Sequence, residues 1–397
     1  MFTNKNVLVI VTGSIAAYKA TTLVRLLVKN DAQVRVGMTK SAQEFITSRT
    51  LAILSGHEVL TDLFNAPESA VVHIDWAKWA DIILVVPATA NIIGKIANGI
   101  ADDAVTATIM ASAADKVIAP AMNDHMLNNL AVSRNIKQLQ TDGWLVIEPE
   151  TGFLAEGYDA KGRLPEPETI LSQIDVRLRS RSGKLQGKKV VITAGGTREA
   201  IDPVRYLTNR SSGKMGYALA RAAAEHGAHV TLITTINRET IFGVRQIMVK
   251  SAQEMYDMSM SEFEDADYFI AAAAVADFKP TAELVHKIKK QADSTLTLNL
   301  VQNPDILKAI GQSKKAGQRV VGFAAETQHI IQSGQEKLVS KNADMLVAND
   351  VSRQDAGFSS DNNAVTILTR DERAQTLAKA SKIAIAREII ERMITLN

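Results

Sequence analysis

The stretch TAGGTREAIDPVRYLTNRSSGKMG, residues 193–216, decides how the second half of the chain folds. It follows the apolar and largely β-branched run KVVI, residues 189–192, which is typical of a buried strand. It ends where a helical pattern begins at Met215 and continues to Ala224. The glycine pair at 195–196 permits main-chain amides to approach a ligand closely. This order of strand, glycine turn and helix predicts the opening of an α/β unit.

The connection between this strand and this helix is longer than a simple turn requires, and it is rich in polar residues. Long connections without regular structure are commonly functional. One interpretation is a surface loop with ordinary charges. The other is an anion site, in which a phosphate or carboxylate lies against the helix N-terminus between basic side chains. The basic residues of the connection are Arg198, Arg205, Arg210 and Lys214.

Length and composition limit the class of protein. The 397 residues exceed the usual size of one hydrophobic core, so we expect two or three domains. Hydrophobic residues make up 46% and charged residues 22% of the chain, as in ordinary soluble globular proteins. The net charge of +2 gives no electrostatic reason to expect a nucleic-acid or membrane partner.

The lack of cysteine excludes disulfides, thiolate metal sites and a cysteine nucleophile, and it agrees with a cytoplasmic location. Residues 1–11 do not show the basic and then long apolar pattern of a signal peptide. No apolar run approaches the ~20 residues of a membrane-spanning helix. We therefore expect a cytoplasmic protein.

The N-terminal segment repeats the order of strand, glycine turn and helix. A strand is predicted at 6–11, a tight turn at Gly13-Ser14, a helix at 15–30 and a second strand at 32–38. Both halves are therefore predicted to be doubly wound α/β domains with mainly parallel sheets, whose ligands lie beyond the carboxyl ends of the strands. Neither half contains GxGxxG, which disfavours a dinucleotide site.

Two further strands of the first half, at 82–86 and 116–119, each lead into a proline-marked loop, at 87–91 and 120–123. Each loop alone is also typical of a plain turn. Their repetition along one sheet favours a phosphorylated ligand that is held by hydroxyl groups and backbone amides. The hydroxyl residues in these loops are Ser14, Thr39 and Thr89.

Residues 175–188, DVRLRSRSGKLQGK, combine basic residues, serine and glycine with little apolar content. A phosphate-binding patch would explain this composition, but we interpret it as a solvated tether between domains. The chain then divides into a first domain at 1–174, a linker at 175–188 and a second domain at 189–397.

Alternating and helical patterns predict the remaining elements of the second domain. Strands are predicted at 228–234, 268–274, 296–301, 319–324, 345–348 and 365–369. Helices are predicted at 252–263, 304–312, 330–342 and 377–396. The last helix is amphipathic, which indicates core packing more than a partner interface.

Several motifs occur in a fixed order along the chain. In the first half they are GSIAAYK (13–19), the segment around His73, PATAN (87–91), NGIADD (98–103) and PAMNDHM (120–126). In the second half they are the stretch 193–216, AAAVADF (272–278), KIKK (287–290) and NPDIL (303–307). In this order they resemble the bifunctional flavoproteins of coenzyme A biosynthesis, which fuse a phosphopantothenoylcysteine decarboxylase to a phosphopantothenate–cysteine ligase. The resemblance implies a flavodoxin-like FMN domain followed by a Rossmann-like ligase domain.

For the second domain, the resemblance implies a ligation in two steps. The carboxylate of 4′-phosphopantothenate attacks the α-phosphate of CTP, which releases pyrophosphate and leaves an acyl-cytidylate. The amine of cysteine then displaces CMP and forms the amide. Mg²⁺ is expected to bridge the CTP phosphates mostly through water and phosphate oxygens, and its protein ligands stay unknown.

The resemblance also implies site residues in this domain. Asn209 would contact the acyl-cytidylate and stabilise charge at the reacting carbonyl, and Lys287 would serve the CTP phosphates. Lys337 and Lys341 share a helix face, which without the resemblance would be read as solvated surface. Phe323 would pack near the cytidine, although a phenylalanine at a strand end is often core. The implied CTP-binding residues are Ala271, Ala272, Ala273, Asp277, Lys287, Asn303, Pro304, Asp305, Ile306, Phe323, Lys337 and Lys341.

For the first domain, the resemblance implies FMN-dependent oxidation of the thiol end of 4′-phosphopantothenoylcysteine, loss of carbon dioxide, and reduction of the enethiolate to 4′-phosphopantetheine. His73 matches the family's catalytic histidine, although a lone histidine in an apolar setting is more often a core residue. Asn123 would hold the substrate carboxylate. The implied FMN-binding residues are Gly13, Ser14, Ile15, Ala16, Thr39, Ala88 and Thr89.

Glu156, in LAEG at 154–157, stands where this family carries a flap cysteine, while Gly162 and Arg163 are retained. That cysteine protonates the enethiolate, and this chain has no cysteine to replace it. A carboxyl group can donate a proton, but in water it is mostly ionised at neutral pH, whereas burial favours its neutral form. Three outcomes are open: Glu156 acts as the acid, the reaction stops at an oxidised product, or the domain is only structural. An engineered substitution would also account for the difference.

Two other functions compete with a bifunctional enzyme. In one, only the ligase is active and the flavin domain is a scaffold. In the other, the chain is a non-catalytic nucleotide-binding regulator. Family analogy further implies trimeric flavin domains and dimeric ligase domains, and hence a homo-oligomer whose partners are small-molecule substrates.

Overall fold

The computed structural model describes residues 2–64, 71–238, 240–289, 296–326, 330–350, 360–370 and 374–396. The chain forms two compact units, Met1–Asp175 and Val176–Asn397. Each unit contains a mainly parallel sheet flanked by helices, so the predicted α/β class is confirmed. Within the described ranges, no helix is both long and apolar enough to cross a membrane.

The first unit is built on a six-stranded parallel sheet with the strand order β3-β2-β1-β4-β5-β6. The chain winds outward from β1 to one side and returns through β4 to the other, so its switch point lies between β1 and β4. The strands are β1 (Asn6–Val11), β2 (Gln33–Met38), β3 (Val59–Leu60), β4 (Ile82–Ala88), β5 (Asp115–Pro120) and β6 (Leu145–Val146).

The helices of this unit pack on the sheet because their apolar residues share one side. Ile92, Ile93 and Ile109, for example, pack against Leu8 and Ile83 in one buried cluster. The helices are α1 (Lys19–Lys29), α2 (Ser48–Ser55), α3 (Val72–Trp79), α4 (Ala90–Ala97), α5 (Ala104–Ala111), α6 (Asp124–Leu127), α7 (Leu130–Thr141) and α8 (Pro167–Ser180). Short 3₁₀ helices lie at Ile15–Tyr18 and Lys40–Glu44.

A hairpin of two antiparallel strands, β7 (Glu150–Phe153) and β8 (Asp159–Arg163), follows β6. Its tip contains Glu156 and Gly157, and we call this hairpin the flap. The main-chain N–H of Met122, just after β5, donates to the Gly162 carbonyl over 3.2 Å. A Cβ at position 162 would collide with the Met122 carbonyl oxygen, so glycine permits this close approach. The base of the flap is thereby fixed to the loop that follows β5.

The second unit contains an eight-stranded sheet with the order β13-β12-β9-β14-β17-β18-β19-β20, in which only the last two strands run antiparallel to their neighbours. The switch point lies between β9 and β14. The strands are β9 (Lys189–Ala194), β12 (His229–Thr234), β13 (Val244–Met248), β14 (Tyr268–Ala271), β17 (Arg319–Glu326), β18 (Met345–Asp350), β19 (Asn362–Thr369) and β20 (Gln375–Ser381). Two small antiparallel pairs are β10 (Arg198–Ala200) with β11 (Tyr206–Thr208), and β15 (Phe278–Pro280) with β16 (Leu300–Gln302).

Helices cover both faces of this sheet, because neighbouring residues of a strand point to opposite sides. In β9, Val190 and Ile192 pack with α9 (Lys214–Glu225) and α13 (Lys382–Ile394), whereas Val191 packs on the other face. That other face carries α10 (Ala252–Phe263), α11 (Ile306–Ser313) and α12 (Ile330–Ser340).

Three expectations from the sequence differ from the structure. The segment 175–188 is not an extended tether: helix α8 continues to Ser180, and Leu185 is 1% exposed within the core of the second unit. The strand expected at 296–301 is only β16, outside the main sheet. The helix expected from Leu377 begins at Lys382, because 375–381 pairs with β19 as an edge strand.

Candidate functional site

Three hydroxyl side chains lie at the carboxyl ends of neighbouring strands in the first unit, and each caps a helix. Ser14, after β1, accepts the Ala16 N–H over 3.3 Å; Thr39, after β2, accepts the Ala42 N–H over 3.3 Å. Thr89, after β4, caps α4. Side-chain oxygens and N-terminal amides therefore meet at one edge of the sheet, and their binding of a phosphorylated ligand stays a prediction.

Thr12, which the sequence analysis missed, ties two of these loops together. Its buried hydroxyl donates to the Pro87 carbonyl over 2.7 Å and accepts the Thr89 N–H over 3.2 Å. The only sequence signal is that Thr12 comes directly after β1. Of the other predicted FMN residues, Ala88 is fully buried and Ile15 is 64% exposed at the start of its 3₁₀ helix.

The residues predicted for decarboxylation lie on two parts of this unit. His73 is half-buried in the first turn of α3. Asn123 caps α6, and its side-chain amide donates to a Glu156 carboxylate oxygen and to the Tyr158 hydroxyl, both over 3.0 Å. The flap tip therefore contacts the PAMN loop through Glu156 itself.

Tyr158 extends this network. Its hydroxyl donates to the Asp124 carboxylate over 2.6 Å. This hydrogen bond holds the pKa of Asp124 below its usual range and raises the pKa of Tyr158. Asn123, Asp124, Glu156 and Tyr158 thus form one polar cluster on the exposed side of the flap.

The second unit contains a cavity of about 930 Å³ at the carboxyl edge of its sheet. The connection 209–216, the segment after β14, the NPDI turn and α12 all contribute walls. It brings together nearly all the CTP-binding residues that the sequence implied, together with Asn209. The predicted residues that line it are Asn209, Ala271, Ala272, Ala273, Asp277, Asn303, Pro304, Asp305, Ile306, Phe323, Lys337 and Lys341.

The opening stretch forms this wall because its glycines permit close contacts. Gly195 has φ +89°, and a Cβ on Gly196 would press on the Asn209 carbonyl oxygen. Gly213 begins α9 with φ +68° and no side-chain cap. Arg210 to Gly216 all line the cavity, and an anion site here stays a prediction.

The segment after β14 is fixed by hydrogen bonds from several elements. The Ala274 N–H donates to the Gly195 carbonyl over 2.8 Å, and the Ala276 N–H donates to the Thr197 hydroxyl over 2.9 Å. The Asn303 amide donates to the Ala276 carbonyl over 2.9 Å. These bonds hold Asp277 and the NPDI turn beside each other on the cavity wall.

Asn209 reaches the same segment: its side-chain amide donates to the Val275 carbonyl over 2.9 Å. Lys341 pairs with Asp305, which caps α11. The Lys341 N–H donates to the Lys337 carbonyl over 2.9 Å, so the two lysines keep their helical spacing although α12 ends at Ser340.

Lys287 is not among the residues that line this cavity. Its neighbour Ile288 is fixed elsewhere: the Ile288 N–H donates to the Asp202 carboxylate over 3.1 Å, and Arg205 donates to the Ile288 carbonyl over 2.9 Å. The role of Lys287 stays a prediction. Lys290, the last residue of the KIKK motif, lies outside the described residues.

Asp202 and Arg205, both in the opening stretch, form an ion pair rather than part of the cavity wall. Arg205 donates to the Asp202 carboxylate over 3.0 and 2.6 Å, and the N–H groups of Val204 and Arg205 donate to the same carboxylate over 2.8 Å. The Arg205 guanidinium holds the pKa of Asp202 far below its usual range, and these N–H donors add to the effect.

Sequence reasoning missed three polar cavity residues from the C-terminal part: Asn349, Asn363 and Lys382. Asn349 and Asn363 lie within β18 and β19, and Lys382 is the first residue of α13; the sequence placed these elements correctly only in part. Lys382 was assigned to the middle of an amphipathic helix, where a lysine gives no functional signal. Only the edge strand β20 places it at the start of α13.

The chain matches two family models. One, described as flavoprotein, covers residues 1–179. The other, described as DNA/pantothenate metabolism flavoprotein C-terminal domain, covers residues 185–396.

The chain is also similar to named proteins over all or part of its length. It is 49% identical over 401 residues to the coenzyme A biosynthesis bifunctional protein CoaBC of Bacillus subtilis (strain 168), with 100% of this chain and 98% of that protein covered. Its identity to the protein of the same name from Escherichia coli (strain K12) is 40% over 371 residues, covering 92% and 91%. Among solved structures, a crystal structure of the C-terminal domain of CoaBC is 39% identical and covers 53% of this chain and 95% of that chain, with a TM-score of 0.45.

Proposed function

Because the chain belongs to the CoaBC family of bifunctional coenzyme A biosynthesis proteins, we propose a role for each unit and for the residues that carry it. The chain is a flavoprotein enzyme with phosphopantothenate–cysteine ligase and phosphopantothenoylcysteine decarboxylase activities. To these two activities the proposal adds the identity of the co-substrate, the identity of the cofactor and the residues that act in each unit. The second unit uses CTP to join cysteine to 4′-phosphopantothenate, and the first unit uses FMN to decarboxylate the product.

The cavity of the second unit is the observation that supports the ligase assignment most strongly. The ligase reaction requires that a nucleotide and a second anionic substrate bind together. The cavity volume of about 930 Å³ lies in the upper range of small-molecule sites. Asp277, the NPDI turn and Phe323 frame the cytidine. Lys337 on α12 and Lys341 just after it serve its phosphates.

The ligation is a double displacement at phosphorus and then at carbon. The pantothenate carboxylate oxygen attacks the α-phosphorus, and the bond to the β-phosphate oxygen breaks, so pyrophosphate leaves. The cysteine amine then attacks the acyl carbon, loses a proton, and CMP leaves with the bonding electron pair. Asn209 lines the cavity, and in this proposal its amide stabilises negative charge on the acyl oxygen.

Mg²⁺ would neutralise the nucleotide phosphates in this cavity. Within the described ranges, no group of three or more His, Asp or Glu residues is placed to hold a metal ion. A hard cation that keeps most of its waters and binds phosphate oxygens needs no such group. We therefore assign Mg²⁺ to CTP and not to a protein cage.

The first unit fits FMN through its sheet edge. Ser14, Thr39 and Thr89 present hydroxyls and first-turn amides on neighbouring loops, which suits a phosphate, and the exposed Ile15 beside them suits an apolar ring. FMN, when bound, supplies the two-electron oxidation of the substrate thiol and its reversal. The protein's own residues orient the substrate and move its protons.

Asn123 holds the substrate carboxylate by the same amide that now contacts Glu156, and His73 acts as the catalytic histidine. Glu156 supplies a proton where relatives of this family use a cysteine. An oxidised product, or a purely structural first unit, is the outcome if Glu156 cannot do so. This second candidate, a ligase with an impaired flavin unit, has one observation in its favour: the chain contains no cysteine.

The decisive experiment gives the purified chain CTP, 4′-phosphopantothenate, cysteine and Mg²⁺. We expect pyrophosphate release that requires both organic substrates, followed by release of carbon dioxide. Pyrophosphate release without carbon dioxide, from protein that carries flavin absorbance, would support the ligase-only candidate. If CTP is not consumed at all, the ligase assignment is wrong and a nucleotide-binding regulator remains.

We also propose a cytoplasmic homo-oligomer, with trimeric contacts through the first unit and dimeric contacts through the second. Light scattering on the full chain measures the assembly. A monomer at micromolar concentration would contradict it.

A further inference from the structure

Lys382 is a buried lysine on the wall of the ligase cavity. It is 7% exposed, which is unusual for a lysine. The other buried lysine in the described part of the chain, Lys19, has a structural use: its ammonium group donates to the Leu164 carbonyl over 2.7 Å and pairs with Glu166. Lys382 differs from Lys19 in its position, because it lines the cavity of the second unit.

The charges around Lys382 are mostly positive. Lys214, which also lines the cavity, pairs with Asp361 over 2.5 Å, but Asp361 is 86% exposed. Arg238 donates to the Ser212 carbonyl over 3.1 Å. Burial first, and then Lys214 and Arg238 against Asp361, hold the pKa of Lys382 below its usual range. Keeping these side chains positively charged in the part of the cavity around Lys382 is therefore unfavourable, and a bound anion would offset this free-energy cost.

Main-chain amides add to the same part of the cavity. Helix α9 begins at Lys214 after Gly213, without a side-chain cap, and residues 213–216 line the cavity. Uncapped first-turn amides of a helix favour phosphate. The buried lysine and the uncapped helix are independent features, and both lie on the face where α9 and α13 pack together.

We propose that Lys382 is a phosphate-binding residue of the ligase, which acts with Lys214 and the first amides of α9. This inference rests on the proposed ligase function and specifies one end of its site. Lys337 lies on α12, which packs on the opposite face of the sheet, and Lys341 directly follows that helix. The cavity therefore holds anions from two sides, which suits a reaction between two phosphorylated substrates.

The phosphate held here belongs either to CTP or to the phosphomonoester of 4′-phosphopantothenate. The test first measures pyrophosphate release by the unaltered chain, because lack of activity there would refute the ligase function and not this inference. It then compares Lys382→Met and Lys382→Arg with Lys379→Met, an exposed lysine three positions away that is absent from the cavity wall. The KM for each substrate and the melting temperature are measured.

Lys382→Met should raise the KM of one substrate by about 10- to 100-fold, as expected for loss of a charge-assisted hydrogen bond. Lys382→Arg should recover part of it, and Lys379→Met should change neither KM. If only the KM for CTP rises, the phosphate bound by Lys382 belongs to the nucleotide. A rise confined to phosphopantothenate assigns the phosphomonoester, and the difference between variant and unaltered chain should then vanish with pantothenate, which has no phosphate.

If Lys382→Met does not fold, Lys214→Met tests the inference in its place, because Lys214 is more exposed. The substitution Lys214→Met should raise the KM of the same substrate. Unchanged KM values for both substrates in folded Lys382→Met, or in Lys214→Met when the former does not fold, would overturn the inference.

Discussion

The side-chain amide of Asn123 donates a 3.0 Å hydrogen bond to the carboxylate of Glu156, 33 positions later in the chain. Asn123 belongs to the loop after β5, and Glu156 belongs to the tip of the flap. Glu156, the residue that differs from the family pattern, thus forms a hydrogen bond with Asn123, the residue proposed to hold the substrate carboxylate. A substrate carboxylate and Glu156 would compete for one amide.

Replacing Glu156 with cysteine should raise decarboxylase turnover about tenfold or more, because a thiol donor is restored and the contact with Asn123 is removed. Carbon dioxide release from 4′-phosphopantothenoylcysteine measures it. Glu150→Cys, an exposed position on the same hairpin, is the matched control and should give no gain. Equal turnover in Glu156→Cys and the unaltered chain would mean that the flap acid does not limit the reaction.

Gly162→Ala should lower decarboxylase activity by at least about tenfold and leave ligase activity unchanged. The added methyl group would collide with the Met122 carbonyl oxygen and displace the flap from the PAMN loop. In the control Gly152→Ala, the methyl group meets only the flexible Arg163 side chain, at 3.1 Å. Both activities are measured on each variant. A ligase loss that equals the decarboxylase loss would indicate general misfolding instead.

Asn209→Ala should let the acyl-cytidylate form but slow amide formation by about 100-fold, the usual effect of removing one oxyanion donor. Rapid-quench analysis with labelled CTP distinguishes the two steps, since the intermediate should accumulate. The control is Asn299→Ala, because Asn299 is exposed, directly precedes β16 and does not line the cavity. Normal amide formation in Asn209→Ala would contradict the proposed contact.

Asp202→Asn should lower the melting temperature at pH 7 by about 5 °C or more, because Arg205 and three main-chain N–H groups lose their charged acceptor. The pKa of Asp202 is lower in the folded chain than its value of about 3.9 in an unfolded chain, so its stabilisation is complete above that value and is lost as the pH falls below it. The difference between variant and unaltered chain should therefore shrink below about pH 4.

Melting curves from pH 3 to 7 measure this effect. Asp265→Asn, an exposed carboxylate, is the control and should shift the melting temperature little at any pH. A difference for Asp202→Asn that is the same at every pH would contradict the ion-pair explanation.

The local pattern of the sequence accounts for most single elements. Apolar runs predicted β1 with its exact bounds and β9 and β12 to within two residues, and α10 was also predicted with its exact bounds. These elements are set by neighbouring residues, whose periodicity is visible in one stretch of chain. The helix predicted to begin at residue 377 was wrong for 377–381, because these residues belong to β20 and pair with β19, a contact that the local helical pattern does not show.

What the sequence determined by itself is the two α/β units, the loops at the carboxyl ends of their strands, and the family to which these loops belong. The tertiary structure decided which of those loops share a cavity, and it excluded Lys287 from the cavity wall while it added Lys382. The tertiary structure also brings Glu156 within hydrogen-bond distance of Asn123. The physical reason is that periodicity and turn chemistry act over a few residues, whereas a site is formed by strand order and helix packing between segments that lie far apart in the chain.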